Sequence, residues 1–178
     1  MNIVLGVTGS ISAYKAADIT SRLAKKGHDV HVILTEGGSK FITPLTLQTL
    51  SKNKVHTEFF EEGIPKEVKH IDLAQNADVI VIAPASANIM GKIAHGIADD
   101  LLSATVMAGA NLAPVYLVPA MNTNMYENPI VQENVEKLRS LGYRFIEPKE
   151  SMLACGVTGK GALADVDEIV EIIEGSLE

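Results

Sequence analysis

Short apolar runs alternate with helical patterns along this chain, and that alternation constrains the fold more than any other feature. The run at residues 79–83 is apolar at every position, which is typical of a strand buried on both faces of a sheet. The runs at 3–7, 29–35 and 115–118 predict three further strands. Because helical patterns separate the strands, right-handed crossovers should pair them in parallel. The sequence therefore predicts an α/β fold, a three-layer, doubly wound, Rossmann-like or flavodoxin-like parallel sheet.

Capping residues and glycines set the expected helix boundaries. One helix should open at residues 8–10 and end before Gly27, and another should open at Thr43 and Pro44, after Gly37 and Gly38 have broken the second strand. Further helices are expected at 89–97, 101–107, 128–142 and 169–174, the last preceded by a capping box at residues 165–168. Residues 143–146 are predicted to form the last strand.

The composition fits one domain of this class, residues 1–178. Of the 178 residues 47% are hydrophobic but only 4% are aromatic, so the core must be mainly aliphatic. The net charge of -7 argues against a nucleic-acid or anionic-membrane surface, and no apolar run reaches the roughly 18 residues of a membrane span. The single cysteine excludes an intramolecular disulfide and a multi-cysteine metal site. We expect a cytoplasmic protein that binds a small molecule and no metal.

Four loops are predicted to meet at the carboxyl ends of the strands, where doubly wound sheets bind their ligands. They span residues 8–12, 35–41, 84–88 and 119–125. The first loop brings glycine and two serines to a helix N-terminus, where backbone N–H groups and the helix dipole favour a phosphate. It lacks the G-x-G-x-x-G pattern, and residues 156–161 lack the spacing of a P-loop, so a nicotinamide dehydrogenase and a Walker-type ATP site are disfavoured.

Three side chains have more than one interpretation when each is taken alone. His70 opens a short helical segment and is either a general base or a surface histidine. Cys155 lies among glycines and is either a thiol acid on a mobile flap or an accidental surface cysteine. Asn122 follows a predicted strand and either binds a polar substrate or serves a turn. Only their combination points to one chemistry.

In combination, the motifs resemble the homo-oligomeric flavin-containing cysteine decarboxylases. The matching segments are GVTGSIS at 6–12, the helix of His70, PASAN at 84–88, PAMNTNMY at 119–126 and ACG at 154–156, and together they cover essentially the whole chain. Two positions depart from the family pattern, since Val157 replaces an acidic residue of many relatives and Leu163 replaces a methionine. Both departures lie near Cys155, in the segment that corresponds to the family's clamp, which closes on the substrate.

The resemblance implies a role for each loop. The residues that match the family's FMN site are Gly9, Ser10, Ile11, Ser12, Thr35, Ser39, Phe41, Ser86, Ala87 and Asn88. Its catalytic residues correspond to His70 as the base, Asn122 as the substrate-binding amide and Cys155 as the proton donor. The substrate site would also contain Met125, Ala154 and Gly156. Separately, the glycines on either side of Lys160 in the clamp segment suggest this lysine as a candidate for binding the substrate phosphate.

The resemblance also implies the reaction, which is FMN-dependent decarboxylation of 4'-phosphopantothenoylcysteine to 4'-phosphopantetheine in coenzyme A biosynthesis. The cysteine moiety is oxidised to a thioaldehyde, carbon dioxide leaves, and the enethiolate is reduced again. We expect a homo-oligomer, a trimer or a dodecamer built of trimers, that shares its flavin site across the trimer contact, and a separate phosphopantothenate–cysteine ligase in the pathway. The alternatives are a peptidyl-cysteine decarboxylase, a flavin prenyltransferase and a non-catalytic regulatory flavoprotein.

Overall fold

A computed structural model describes residues 1–59, 69–152 and 158–177, and its largest element is a five-stranded sheet. The strands are β1 Asn2–Val7, β2 Asp29–Leu34, β3 Val79–Ala85, β4 Val115–Pro119 and β5 Arg144–Phe145. They lie in the order β2-β1-β3-β4-β5, and every neighbouring pair is parallel. The predicted doubly wound sheet is therefore confirmed. In this strand order the direction of winding changes between β1 and β3, which is where such sheets bind ligands.

Helices cover both faces of the sheet. In the described residues they are α1 Lys15–Lys25, α2 Glu36–Ser39, α3 Pro44–Ser51, α4 Lys69–Asn76, α5 Ala87–Ala94, α6 Leu101–Gly109, α7 Thr123–Tyr126, α8 Pro129–Ser140 and α9 Val166–Glu174. Helices α1, α3 and α9 pack on one face, and α4, α5, α6 and α8 on the other. All seven residues of β3 are buried, because Val81 packs into the first of these cores and Ile82 into the second.

Most of the predicted helix boundaries agree with the structure, and the capping box does not. Thr43 caps α3 through its hydroxyl, which accepts a hydrogen bond from the backbone N–H of Thr46. Gly27 follows α1 with a φ of 87°, as a helix-terminating glycine should. Asp165 precedes α9, but its side chain makes no capping hydrogen bond, because its carboxylate pairs instead with Lys149. The prediction of a side-chain capping box at this helix was therefore wrong.

The sequence did not predict three features of the described residues. Two are single helical turns, α2 after the second strand and α7 in the loop after β4. The third is a two-stranded antiparallel sheet of β6 Lys149–Met152 and β7 Thr158–Ala162. The segment at 143–146 is thus not the last strand of the chain. Strand β7 contains two glycines in five residues, a composition that disfavours strands, so its pairing depends on tertiary contacts.

Candidate active site at the carboxyl ends of the strands

A cleft of ≈ 500 Å³ opens at the carboxyl ends of β1, β3 and β4. This volume lies within the range of roughly 300–1,000 Å³ that small-molecule sites occupy. The predicted site residues that line it are Gly9, Ser10, Ile11, Ser12, Phe41, Ser86, Ala87, Asn122 and Met125. Residues far apart in the sequence thus meet at the switch point of the sheet, as the doubly wound topology requires.

Two capped helix starts open into the cleft. The hydroxyl of Ser10 accepts a hydrogen bond from the N–H of Ser12 at 3.3 Å, where a 3-10 turn, Ile11–Tyr14, leads into α1. The hydroxyl of Ser86 accepts from the N–H of Ile89 at 3.3 Å and caps α5. The positive ends of two helices therefore face the same space, an arrangement that favours an anionic group such as a phosphate.

The glycines of the first two loops allow their backbones to touch. A Cβ on Gly9 would lie 3.2 Å from backbone atoms of Gly37, and a Cβ on Gly38 would lie 2.6 Å from the carbonyl oxygen of Val7. Side chains at these positions would push α2 away from the end of β1. Gly37 and Gly38 therefore do more than interrupt a strand, since they let α2 pack against the wall of the cleft.

Lys15 is the charged residue among the described residues that line the cleft, and sequence reasoning missed it together with its neighbour Tyr14. At the start of a helix, a tyrosine and a lysine are typical of a solvated surface. In the structure Lys15 is half-buried, and no carboxylate of the described part of the chain lies within ion-pair distance of it. The cleft consequently carries a positive charge although the whole chain is acidic.

The turn that holds Asn122 packs directly on β7. The side-chain oxygen of Asn122 caps α7 by accepting a hydrogen bond from the N–H of Asn124 at 2.9 Å. The N–H of Met121 donates to the carbonyl oxygen of Gly161 at 2.9 Å, which joins the turn to the strand. Met121, Asn122 and Gly161 all line the cleft. The unpredicted strand β7 therefore forms one wall of the site.

Lys160 lies on β7 but is not among the described residues that line the cleft. Its ammonium group lies 3.2 Å from the carboxylate of Glu147 and 5.6 Å from the centre of the Tyr126 ring. Burial alone would raise the pKa of Glu147, but hydrogen bonds from Arg139 and Lys160 outweigh burial and lower that pKa. Lys160 is thus engaged in a surface ion cluster, and its predicted contact with a substrate phosphate stays a prediction.

Other predicted residues lie elsewhere. Thr35 and Ser39 line a neighbouring cavity of ≈ 360 Å³, and the Thr35 hydroxyl caps α2 by accepting from the N–H of Gly38. The ring of His70 lies 5.5 Å from that of Phe59, a residue on the wall of this second cavity. Asn88 is exposed on the first turn of α5. Ala154, Cys155 and Gly156 lie outside the described residues.

The described residues contain neither a cluster suited to a metal ion nor a membrane-spanning helix. No set of three or more histidine, cysteine, aspartate or glutamate side chains within residues 1–59, 69–152 and 158–177 is arranged to hold a metal ion. In the same ranges, every helix is too short or too polar to cross a membrane.

The family model described as Flavoprotein matches residues 1–178. The chain belongs to the Flavoprotein family. Among curated Flavoprotein relatives, a probable phosphopantothenoylcysteine decarboxylase of Streptococcus mutans is 49% identical over 175 residues, which cover 98% of each chain. The coenzyme A biosynthesis bifunctional protein CoaBC of Bacillus subtilis is 48% identical and matches 97% of this chain. The chain spans only 42% of the length of that bifunctional relative.

Solved Flavoprotein-like structures agree with the observed topology. A variant of PPC decarboxylase in complex with pantothenoylaminoethenethiol superposes with a TM-score of 0.86 and 32% identity, over 97% of this chain and 96% of that one. The structure of SpaF, named as an FMN-dependent cysteine decarboxylase, superposes with a TM-score of 0.85 and 32% identity. The match covers 100% of this chain and 98% of SpaF.

The cleft suits the flavin cofactor that the family name implies. The two helix starts at Ser10 and Ser86 offer an anion site. Ile11 and Met125 line the cleft with apolar side chains that are half or more exposed, at 58% and 50%. A flavin has a phosphate or hydroxyl tail and a flat apolar ring, so it matches both halves of the cleft.

Proposed function

We propose that this chain is an FMN-dependent decarboxylase that converts 4'-phosphopantothenoylcysteine to 4'-phosphopantetheine in coenzyme A biosynthesis. The observation that carries the proposal is that the Ser10 loop, the Ser86 turn and the Asn122 turn line one cleft. The names of the relatives at 49% and 48% identity support the reaction and the pathway. The FMN-dependent neighbour supports the choice of flavin.

The residues of the cleft can perform the binding steps. The helix starts capped by Ser10 and Ser86 would hold the FMN phosphate through backbone N–H groups. The amide of Asn122 would bind the substrate carboxylate and orient the bond that breaks. When bound, FMN supplies the two-electron oxidation and re-reduction that make loss of carbon dioxide from the cysteine moiety easy.

Two proton-transfer roles complete the proposal. His70 would accept a proton as the cysteine moiety is oxidised, because a neutral imidazole is a base near neutral pH. Cys155 would donate a proton to the carbon that has lost carbon dioxide, since a thiol is mostly protonated at that pH. The support for both roles is the resemblance of their motifs to the cysteine decarboxylases.

We infer further that another copy of the chain completes the site. His70 is not among the described residues that line the cleft, so in the proposal it serves the cleft of a neighbouring copy. Apolar side chains that line the cleft support such a contact, since Ile11, Tyr14 and Phe41 are 47% to 60% exposed. From the resemblance to the cysteine decarboxylases, we expect this contact to belong to a trimer, alone or as the unit of a dodecamer.

A phosphopantothenate–cysteine ligase would supply the substrate. The name of the bifunctional relative supports a second activity in the pathway, because this chain covers only 42% of that protein's length. Among the alternatives, a peptidyl-cysteine decarboxylase uses the same chemistry on a substrate without a phosphate. The positive charge of Lys15 in the cleft favours the phosphorylated substrate.

The test is a turnover assay with FMN-loaded protein and 4'-phosphopantothenoylcysteine, followed by mass spectrometry. The wild type should release carbon dioxide and form 4'-phosphopantetheine. Cys155→Ser should accumulate a decarboxylated product with two hydrogen atoms fewer than 4'-phosphopantetheine. Asn122→Ala should leave the substrate unchanged. Asn124→Ala is the matched control, because that amide is exposed and its side chain is not among the described groups that line the cleft. Decarboxylation of a peptide with a C-terminal cysteine, but not of the phosphorylated substrate, would refute the proposal in favour of the peptidyl alternative.

A further inference from the structure

Thr8 is a buried polar residue that the proposed chemistry does not use. It follows β1, is 2% exposed, and is the first residue of the loop at 8–12. Its hydroxyl donates a hydrogen bond to the carbonyl oxygen of Pro84 at 2.7 Å and accepts one from the backbone N–H of Ser86 at 3.0 Å. One hydroxyl group therefore both donates and accepts a hydrogen bond. Its two partners, Pro84 and Ser86, lie 76 and 78 residues after Thr8 in the sequence.

These two bonds connect two neighbouring loops that line the cleft, one after β1 and one after β3. On the near side, the carbonyl oxygen of Thr8 accepts from the N–H of Ser10 at 2.9 Å, so Thr8 also shapes the Ser10 loop. On the far side, Ser86 is the residue that caps α5. Gly9, the next residue, packs against the backbone of Gly37, so the Ser10 loop cannot move toward α2. Beyond the last paired residues of β1 and β3, Gly6 and Ile82, the Thr8 side chain thus links the two helix starts that face the cleft.

We propose that Thr8 is a positioning residue that holds the Ser10 loop and the Ser86 turn at the separation required to bind the phosphate of FMN. Without its hydroxyl, the carbonyl of Pro84 and the N–H of Ser86 lose a buried partner, and the turn must shift to find another. A shift of this kind moves one of the two groups that contact the same anion. The proposal rests on the flavin site of the proposed function but not on the identity of the substrate.

The experiment compares three variants of the full chain, prepared without flavin. Thr8→Val keeps the shape and removes the hydroxyl, and Thr8→Ser keeps the hydroxyl. Thr20→Val is the control, because Thr20 is fully buried in α1 and its hydroxyl has no hydrogen-bond partner among the described residues. The dissociation constants for FMN and for riboflavin, which lacks the phosphate, are measured by flavin fluorescence, and the unfolding temperature is measured alongside.

Thr8→Val should weaken FMN binding about tenfold while riboflavin binding changes much less, and Thr8→Ser should bind FMN like the wild type. Thr20→Val should leave both dissociation constants unchanged. The proposal is overturned if Thr8→Val unfolds at a lower temperature but keeps the wild-type ratio of the two constants, which would assign Thr8 to stability alone. An equal loss of FMN and riboflavin binding would overturn it as well, because the phosphate would then not be the group affected.

The test remains interpretable if Thr8→Val fails to fold or if the proposed reaction is wrong. If Thr8→Val does not fold, Thr8→Cys replaces it, since a thiol has a similar shape but bonds weakly, and the same ratio is measured. If the wild type binds FMN but does not decarboxylate 4'-phosphopantothenoylcysteine, the proposed reaction fails and the Thr8 test still stands. If the wild type decarboxylates and Thr8→Val keeps the ratio, only the inference about Thr8 fails.

Discussion

The side-chain oxygen of Asn122 lies 2.9 Å from the backbone nitrogen of Asn124 and accepts its hydrogen bond. This contact gives one amide two tasks, because the side chain that lines the cleft also caps the helical turn α7. The oxygen serves the turn, and the NH2 group carries the donors that a carboxylate needs. A variant that keeps the oxygen and removes the donors can therefore separate structure from substrate binding.

Asn122→Asp is that variant. Aspartate caps helices as well as asparagine does, so the unfolding temperature should remain close to the wild-type value. In the cleft, however, its negative charge would oppose the substrate carboxylate, and we expect kcat/KM to fall about 100-fold or more. Asn122→Ala should lose both activity and about 1 kcal/mol of stability. If Asn122→Asp turned over like the wild type, the amide would have only its structural role.

A site shared between copies predicts that two inactive variants can rescue each other. His70→Gln removes the proposed base, and Asn122→Ala removes the amide of the cleft. If His70 serves the cleft of a neighbouring copy, oligomers reassembled from both variants contain some clefts with both groups intact. Activity should then reappear on mixing, and neither variant reassembled alone should show it. Mixtures that stay inactive, although mass spectrometry shows mixed oligomers, would place both groups in one copy.

The two lysines near the site predict different effects on the substrate phosphate. Lys15 lines the cleft, whereas Lys160 pairs with Glu147. Lys15→Met should raise the KM for 4'-phosphopantothenoylcysteine about tenfold and leave the KM for the dephosphorylated compound nearly unchanged. Lys160→Met is the matched control and should change neither KM. The opposite pattern would support the phosphate role that the clamp glycines suggested for Lys160.

The sheet could be predicted because each of its strands leaves a local signal. A strand buried on both faces must be apolar throughout, and residues 79–83 are. Helix ends at Gly27 and Thr43 carry backbone and hydrogen-bonding requirements that only a few residue types meet. These signals depend on the residues themselves and not on distant partners, which is why they can be interpreted in one sequence.

The rest of the site depends on partners that the sequence does not reveal. Strand β7 is rich in glycine because the Asn122 turn presses against it, as Gly159 shows, where a Cβ would lie 2.5 Å from the hydroxyl of Thr123. Lys15 has the local pattern of an exposed helix start, and only the fold brings it into the cleft. Asp165 has the spacing of a capping box, but its carboxylate forms an ion pair with Lys149, which is 16 residues away in the sequence.

A half-buried ion pair between Lys92 and Asp100, beside the second cavity, predicts a pH-dependent stability. Burial alone would raise the pKa of Asp100, but hydrogen bonds from Lys92 and the Ser103 backbone outweigh burial and lower it. Because the folded-state pKa lies below the unfolded value of about 3.9, the stabilisation is complete above that value and is lost as the pH falls through the folded value. Asp100→Asn keeps the cap but should lower the free energy of unfolding by about 1 kcal/mol near neutral pH.

The difference in stability between wild type and Asp100→Asn should disappear in acid. Below the folded-state pKa of Asp100, wild type and Asp100→Asn should unfold at nearly the same denaturant concentration. Glu133→Gln, which removes an exposed carboxylate of α8, is the control and should track the wild type at every pH. A deficit of Asp100→Asn that persists in acid would trace to altered packing and not to the charge.

The contact between β7 and the Asn122 turn can be tested through the backbone of Gly161. This residue has a φ of 151°, and a Cβ there would overlap the carbonyl oxygen of Met121, so Gly161→Ala is both strained and obstructed. The bond from the N–H of Met121 to the Gly161 carbonyl, 2.9 Å long, should break as the strand moves away. We expect a loss of about 1–3 kcal/mol in unfolding free energy and a fall in kcat/KM, because both residues line the cleft.

Gly91→Ala is the opposing control, since a Cβ there meets only the Asn134 side chain, at 3.8 Å, and alanine should stabilise α5 by about 0.5–1 kcal/mol. If Gly161→Ala lost stability but kept its kcat/KM, β7 would support the fold without shaping the site.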